Sequence, residues 1–434
     1  MSVLNDFTEE FLQAARDAHT YRTLRQMVTP ESCRVEISRT FNPDCDDIRD
    51  YNRTEEVILL ASNSYLDLCN EPSLKKAAAN AVLQWGTGSG GARLTTGNKI
   101  PHEELESKLA RFKGEEAALT FGTGYMANVG IISALCSKQI HGDGTTSECI
   151  VFSDELNHAS IIDGIRLSRA KCYVYKHNDM NDLLQAIETA HAEFEEKNGK
   201  QAKAPRCLIV TDAVFSMDGD LANLPELNRI AKEKHCLLMI DEAHATGVIG
   251  KTGRGLAEYF KDQGIPCEHA DVTIGTLSKA IGCEGGFVVG KQQLIDFLRN
   301  KARSFIFTTA MSPAMAQAAS NNLKFIEEHP ARIQQLQENV KYFCDALRSA
   351  GVNIDVASSG PVQSAIVPIV IGDEAAALEA SAKLQERGIL IPAIRFPTVA
   401  KGQARLRASI MATHTKKDLL FAANAIAEIL TTNH

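Results

Sequence analysis

A mainly parallel, doubly wound α/β sheet followed by a smaller α+β domain is the fold this 434-residue sequence predicts. Two observations carry that expectation. Between residues 117 and 290, seven short apolar runs show no polar alternation, the pattern of strands covered on both faces. Segments of helical spacing separate them, among them PHEELESKLARF, LPELNRIAKEK and KQQLIDFLRNKA, and strands joined through helices lie parallel. With 44% hydrophobic residues the chain has material for a large core.

The elements follow in order. Leu4, Phe7, Phe11 and Leu12 repeat at helical spacing and open an arm helix expected over residues 4 to 28. The stretch FNPDCDDIRDYNRTEE, rich in Asp and Asn, reads as a loop, and residues 1–60 form an N-terminal arm and segment. Residues 61–310 make the large domain, whose runs AALTF, CIVFSD, CYVYK, CLIVTDAVF, CLLMID, VTIGT and GGFVVG predict a seven-stranded sheet. From TTAMSPAMAQ onward long helices take over, then AIVPIVIGD, AAALEASAKLQERG and RLRASIMA, so residues 311–434 form the α+β C-terminal domain.

Composition narrows the function. A formal net charge of −8 without a long Lys/Arg block argues against nucleic acid, because phosphate neutralisation needs clustered cations. The eleven cysteines stand singly, with no CxxC pair, so neither a metal site nor a dithiol centre is expected and a reducing cytoplasm fits. No run of eighteen apolar residues occurs, and the first thirty residues lack an apolar signal core, so no membrane association is expected.

Two glycine-rich turns and four strand ends carry the chemistry. WGTGSGGARLTTGN matches GxGxxG at Gly86, Gly88 and Gly91, but a helix-like segment precedes it where a dinucleotide site needs a strand. TFGTGYMANVG does follow a strand and open a helix, which directs free N–H groups toward a phosphate at Gly124 and Tyr125. LLMIDEAHATGVIGKTG contains lookalikes of two nucleotide-hydrolase motifs, yet those motifs end two separate strands and here they follow one strand. Asp241 and His244 are better read as a carboxylate and an imidazole in one cleft. Neighbouring strand ends deliver His158, then Asp212 and Ser216, then Thr276, Ser278 and Lys279. Such a cleft suits a phosphorylated, ring-shaped ligand whose carbonyl Lys279 captures as a Schiff base.

Taken together, GTGSGGARLTTG, FGTGYMAN, DELNHASIIDG, SMDGD, IDEAHATG and GTLSKAIG resemble, in order and spacing, the α-oxoamine synthases. These are pyridoxal-phosphate enzymes of the aspartate-aminotransferase fold (fold type I), and the likeness runs from about Tyr21 to the C-terminus. The resemblance implies that Lys279 binds pyridoxal 5'-phosphate and acts as base, that Asp241 pairs with the pyridine nitrogen, and that His158 stacks on the ring. It assigns Ser216 and His244 to the phenolic oxygen, and Gly124, Tyr125 and Thr276 to the phosphate, with Thr309 arriving from the second subunit of a homodimer that shares its active site. Arg407 would grip the amino acid carboxylate, with Arg22, Asn63 and Thr398 at further substrate contacts. The implied reaction is a decarboxylative condensation of an amino acid with an acyl-CoA. RSFIFTTAMSP and AIRFPTVAKGQARLRASIMATHT look most like members that join a pimeloyl thioester to L-alanine in biotin synthesis. A glycine and acetyl-CoA branch shares nearly all the cofactor motifs, and Phe396 and Ala400 depart from the usual prolines, which leaves the acyl group open. An aminotransferase or decarboxylase on the same fold, or a non-catalytic member, are the competing readings.

Overall fold

The structure is a computed structural model that describes residues 3–17, 21, 24–38, 54–140, 146–199, 202–354, 362 and 364–431. All seven apolar runs are strands of one sheet: β1 (Ala117–Phe121), β2 (Cys149–Asp154), β3 (Lys171–Tyr175), β4 (Arg206–Asp212), β5 (Leu237–Asp241), β6 (Val272–Thr276) and β7 (Gly286–Gly290). They lie in the order β1-β7-β6-β5-β4-β2-β3. Strands β2 to β6 pair in parallel, and β7 alone runs antiparallel to both its neighbours, β6 and β1.

Alternate residues of each run feed different cores, which is why the runs look uniformly apolar. Ile150, Phe152, Ile209 and Ile240 enter one core, while Val151, Leu208, Val210 and Met239 enter the other. Helices Gly124–Cys136 and Ala159–Ser168 pack against each other on the second face. Thr123 starts the first by accepting from Met126 N at 3.0 Å, and His158 starts the second by accepting from Ser160 N at 3.2 Å.

The C-terminal part carries an antiparallel sheet of Ile366–Gly372, Ala404–Ser409 and Ala393–Ile394, covered by helices Ala331–Ser349, Glu374–Glu386 and Lys416–Thr431. Helix Pro313–Glu328 packs instead on Pro72–Trp85 and Ile100–Lys113. The N-terminal segment is woven into the C-terminal part. Strands Arg34–Ser38 and Thr54–Leu59 pair antiparallel, and Ile389–Leu390 adds a parallel strand beside the second. Backbone bonds from Ser409 N to Leu60 O and from Ala412 N to Tyr65 O, both 2.8 Å, continue the attachment, and Arg34 pairs with Asp418.

The arm helix is shorter than its spacing suggests: it spans Val3–Asp17, and residues 26–28 run extended beside Arg34–Ser38. Val28 N donates to Glu36 O at 2.8 Å, and Thr29 Oγ1 accepts from Glu36 N at 2.9 Å, so pairing across the Thr29-Pro30 turn wins over helix propensity. Most of the expected loop FNPDCDDIRDYNRTEE lies outside the described residues, and its final TEE begins the strand Thr54–Leu59.

Candidate active site

Parallel strands end on one edge of the sheet, and ligands bind outside those ends. Lys279, His244, Asp241, Asp212 and His158 meet there. Lys279 sits in a turn closed by Gly282 N to Lys279 O (2.9 Å) and Cys283 N to Leu277 O (2.8 Å), between the buried side chains of Leu277, Ala280 and Ile281. The turn after β5 lies against it. At Gly247, φ is +79° and a Cβ would stand 2.7 Å from that of Ala280, so only glycine allows the two turns this close.

Lys279 Nζ lies 2.8 Å from His244 Nε2. Burial lowers the lysine pKa to about 8, against the pull of the Asp241 and Asp212 carboxylates and with help from Arg407. His244 is buried and held well below the ordinary imidazole range, first by burial, then by the charges of Lys279, Arg407 and His158. It is therefore neutral at physiological pH. Its Nδ1 is 2.7 Å from Tyr65 Oη.

Asp241 is buried; its Oδ2 accepts from Asn128 Nδ2 at 2.6 Å and its Oδ1 from Ala243 N at 2.8 Å. Among the described residues no salt bridge joins it to a cation. Asp212 is pushed well above the carboxylate range by burial and then by the neighbouring Asp241 charge, and its Oδ2 accepts from His158 N at 2.8 Å. His158, whose pKa burial lowers, holds Nδ1 2.7 Å from Ser160 Oγ.

Beside this cluster, Thr276 meets the start of helix Gly124–Cys136, where a Cβ on Gly124 would come 3.3 Å from Thr276 Cβ. Thr276 Oγ1 donates to Gly285 O at 2.9 Å and lies 2.8 Å from Ser278 Oγ. Tyr125 is adjacent, but its half-exposed hydroxyl donates to Asp163 Oδ2 at 2.6 Å.

Arg407 enters from the C-terminal sheet, 5% exposed. Its Nε donates to Ser216 O, its Nη1 to Ser409 Oγ at 2.9 Å and its Nη2 to Asn63 Oδ1 at 3.2 Å. Among the described residues no carboxylate pairs with it, so a buried guanidinium faces the site with its charge uncompensated. Ser216, Thr398 and His158 line a cleft of about 780 Å³ that also contains Phe396 and Ala400. Thr309 stands apart, in a small cavity with Arg93, Thr120 and Ser304. Arg22 lies outside the described residues. Among the described residues no three metal-ligating side chains are gathered to hold an ion.

Two contributors escape a reading by strand ends. Asn128 holds Asp241 from within a helix, and Tyr65 holds His244 from the N-terminal segment. Asn128 stands in the FGTGYMAN motif and Tyr65 in SNSYL, so the signal for each was a polar residue beside one already chosen.

Keeping an amine in this place costs stability. The folded pKa of about 8 lies below the ordinary 10.5, so the penalty is complete below pH 8 and fades as pH rises from 8 to 10.5. The gap corresponds to about 3 kcal/mol. Lys279→Met is therefore expected to stabilise the ligand-free protein by about 2–3 kcal/mol at pH 7. The gain should shrink toward pH 10. Urea unfolding of both proteins at the two pH values measures this, and equal midpoints at pH 7 would contradict it.

The family model for aminotransferases of class I and II matches residues 55–426. The chain is similar to the 8-amino-7-oxononanoate synthase of Thermoanaerobacter pseudethanolicus, 42% identical over 424 residues that cover 98% of this chain and 96% of that one. Among solved structures it is similar to a high-resolution structure of SPT with a PLP internal aldimine, at TM-score 0.83 and 27% identity, covering 100% of this chain and 99% of that chain. It is also similar to the 8-amino-7-oxononanoate synthase of Francisella tularensis, at TM-score 0.68 and 29% identity, covering 87% and 98%.

Proposed function

We infer the function from kinship: the chain belongs to the class I and II aminotransferase family, and within it to the α-oxoamine synthases. It is a pyridoxal-phosphate-dependent acyltransferase with the reaction of the 8-amino-7-oxononanoate synthases. That reaction is the decarboxylative condensation of L-alanine with pimeloyl-CoA in biotin biosynthesis. One coincidence carries the assignment: a chain alike over 98% of its length to such a synthase places a buried amine, in no salt bridge among the described residues, at the strand end where chemistry is expected.

The residues fit pyridoxal phosphate. Lys279 offers a buried amine whose lowered pKa admits a free-base fraction near neutral pH, and Asp241 offers a buried carboxylate with no salt bridge to a cation among the described residues. When bound, the cofactor supplies an aldehyde that condenses with amines and a protonated pyridine ring that accepts an electron pair. Lys279 would hold it, Asp241 would face the ring nitrogen, His158 the ring, Ser216 and His244 the phenolic oxygen. Gly124, Tyr125 and Thr276 would receive the phosphate, with Thr309 reaching the site of a second copy.

With a pKa of about 8, Lys279 populates both amine and ammonium near neutral pH, so Nζ can attack a carbonyl, take the Cα proton and return one to the product. Arg407 would fix the amino acid carboxylate, with Asn63, Thr398 and Arg22 around the substrate, and burial excludes water from the reacting atoms. As the acyl carbon bonds to Cα the thiol leaves, and the β-keto acid then loses carbon dioxide.

The working form is a homodimer with a shared site in the cytoplasm. The exposed apolar side chains Leu94, Ile100 and Phe307, together with Thr309 outside the cluster, support the first part. For the second, the ten described cysteines are all free thiols, and no described helix is long and apolar enough to cross a membrane.

Thiol release from each pairing of alanine, glycine or serine with pimeloyl-CoA or acetyl-CoA tests the assignment. L-alanine with pimeloyl-CoA is expected to turn over fastest. Preference for glycine with acetyl-CoA would move the protein to another branch of the family.

A further inference from the structure

A chain of polar atoms runs from Arg407 to Lys279 through two residues of the N-terminal segment. Arg407 Nη2 donates to Asn63 Oδ1 at 3.2 Å, and because a guanidinium cannot accept, the Asn63 amide must present its oxygen there. Tyr65 Oη lies 3.2 Å from the same oxygen and 2.7 Å from His244 Nδ1, and His244 Nε2 lies 2.8 Å from Lys279 Nζ. Tyr65 is 0% exposed, so its single hydrogen has these two acceptors and no access to bulk water. His244 is neutral, which means that one ring nitrogen donates and the other accepts.

These constraints permit two consistent arrangements. When Lys279 is an ammonium it can only donate, so His244 Nε2 accepts, Nδ1–H donates to Tyr65 Oη, and the tyrosine hydrogen points to Asn63. When Lys279 is a free amine its lone pair can accept from Nε2–H, Nδ1 then accepts, and the tyrosine hydrogen turns to it. The two states differ by one proton, which leaves Lys279 for solvent or substrate; imidazole and phenol each keep one hydrogen throughout.

We propose that Tyr65 is a positioning residue: its hydroxyl turns between Asn63 Oδ1 and His244 Nδ1, so that His244 accepts from Lys279 as an ammonium and donates to it as a free amine. Asn63 is the acceptor that holds the hydrogen in the first state. A lysine that must both attack as an amine and carry a proton is thus bonded in either form. The proposal rests on Lys279 being the reacting amine, but it concerns the ligand-free chain and does not depend on the substrate.

The test uses ligand-free protein, with ¹⁵N-histidine spectra reading the His244 tautomer. Competitive acylation of Lys279, followed on its peptide by mass spectrometry from pH 6 to 10, reads its titration. In the unaltered protein the His244 proton is expected to move from Nδ1 to Nε2 as Lys279 titrates near pH 8. Asn63→Leu leaves the tyrosine hydrogen only Nδ1 to bond and should pin His244 with Nε2 protonated, whereas Tyr65→Phe, which removes both donor and acceptor from Nδ1, should leave the tautomer to follow Lys279 alone. Facing the Nε2–H donor in Asn63→Leu, the ammonium is disfavoured, and the Lys279 midpoint should fall by about one pH unit, a tenfold change in its protonation equilibrium. Asn63→Asp, which keeps an acceptor oxygen, should retain the tautomer change. If Tyr65→Phe does not fold, the two Asn63 variants decide alone. A tautomer that stays constant across the Lys279 titration in the unaltered protein, or one that still switches in Asn63→Leu, overturns the proposal. Failure of borohydride to fix pyridoxal phosphate on Lys279 would instead sink the reading of the lysine, a separate result.

Discussion

Lys279→Ala is expected to fold and to lose about 10⁴-fold in turnover, because in the proposed reaction one side chain supplies both the attacking amine and the proton carrier. Removing the lysine removes a destabilising group, so the variant is expected to keep its structure. The shift of its pKa to about 8 comes first from burial, and an amine buried without a salt bridge among the described residues is kept at a cost in stability. Thiol release with L-alanine and pimeloyl-CoA measures the effect, alongside circular dichroism for the fold. Turnover within tenfold of the unaltered protein would remove Lys279 from the chemistry.

Asp241→Asn is expected to lower turnover by about 10²–10³-fold while leaving the protein folded. A carboxylate can hold a proton on a facing ring nitrogen, and a neutral amide cannot. The local structure can absorb the change. Asn128 Oδ1 is buried without a partner, and turning that amide over would present its oxygen to the new NH₂ group. The comparison of kcat with the melting temperature checks this: a large fall in melting temperature with kcat unchanged would make Asp241 a structural group only.

Much of the large domain was legible because burial on two faces writes the same signature into every strand. The strand-end residues His158, Asp241, His244 and Lys279 were legible for a related reason: a parallel sheet sends its carboxyl ends to one edge, so polar residues that follow successive runs become neighbours. The links between them were not. Tyr65 touches His244 across 179 positions of chain, and Asn63 meets Arg407 across 344, distances that no local period encodes. The arm helix was overextended because apolar spacing does not register competition from a partner strand, here Arg34–Ser38. Thr309 lies apart from this cluster, in a cavity with Arg93, Thr120 and Ser304.

Strand Thr54–Leu59 finds its neighbour at Ile389–Leu390, and Asn63 finds Arg407. During translation a nascent polypeptide that has already emerged through β7 possesses the whole seven-stranded sheet and Lys279, yet its early segment still waits for residues about a hundred positions downstream. On the proposed roles, competence thus arrives late in synthesis, after the scaffold: a chain halted before Arg407 would carry Lys279 without the arginine proposed to seat the amino acid carboxylate.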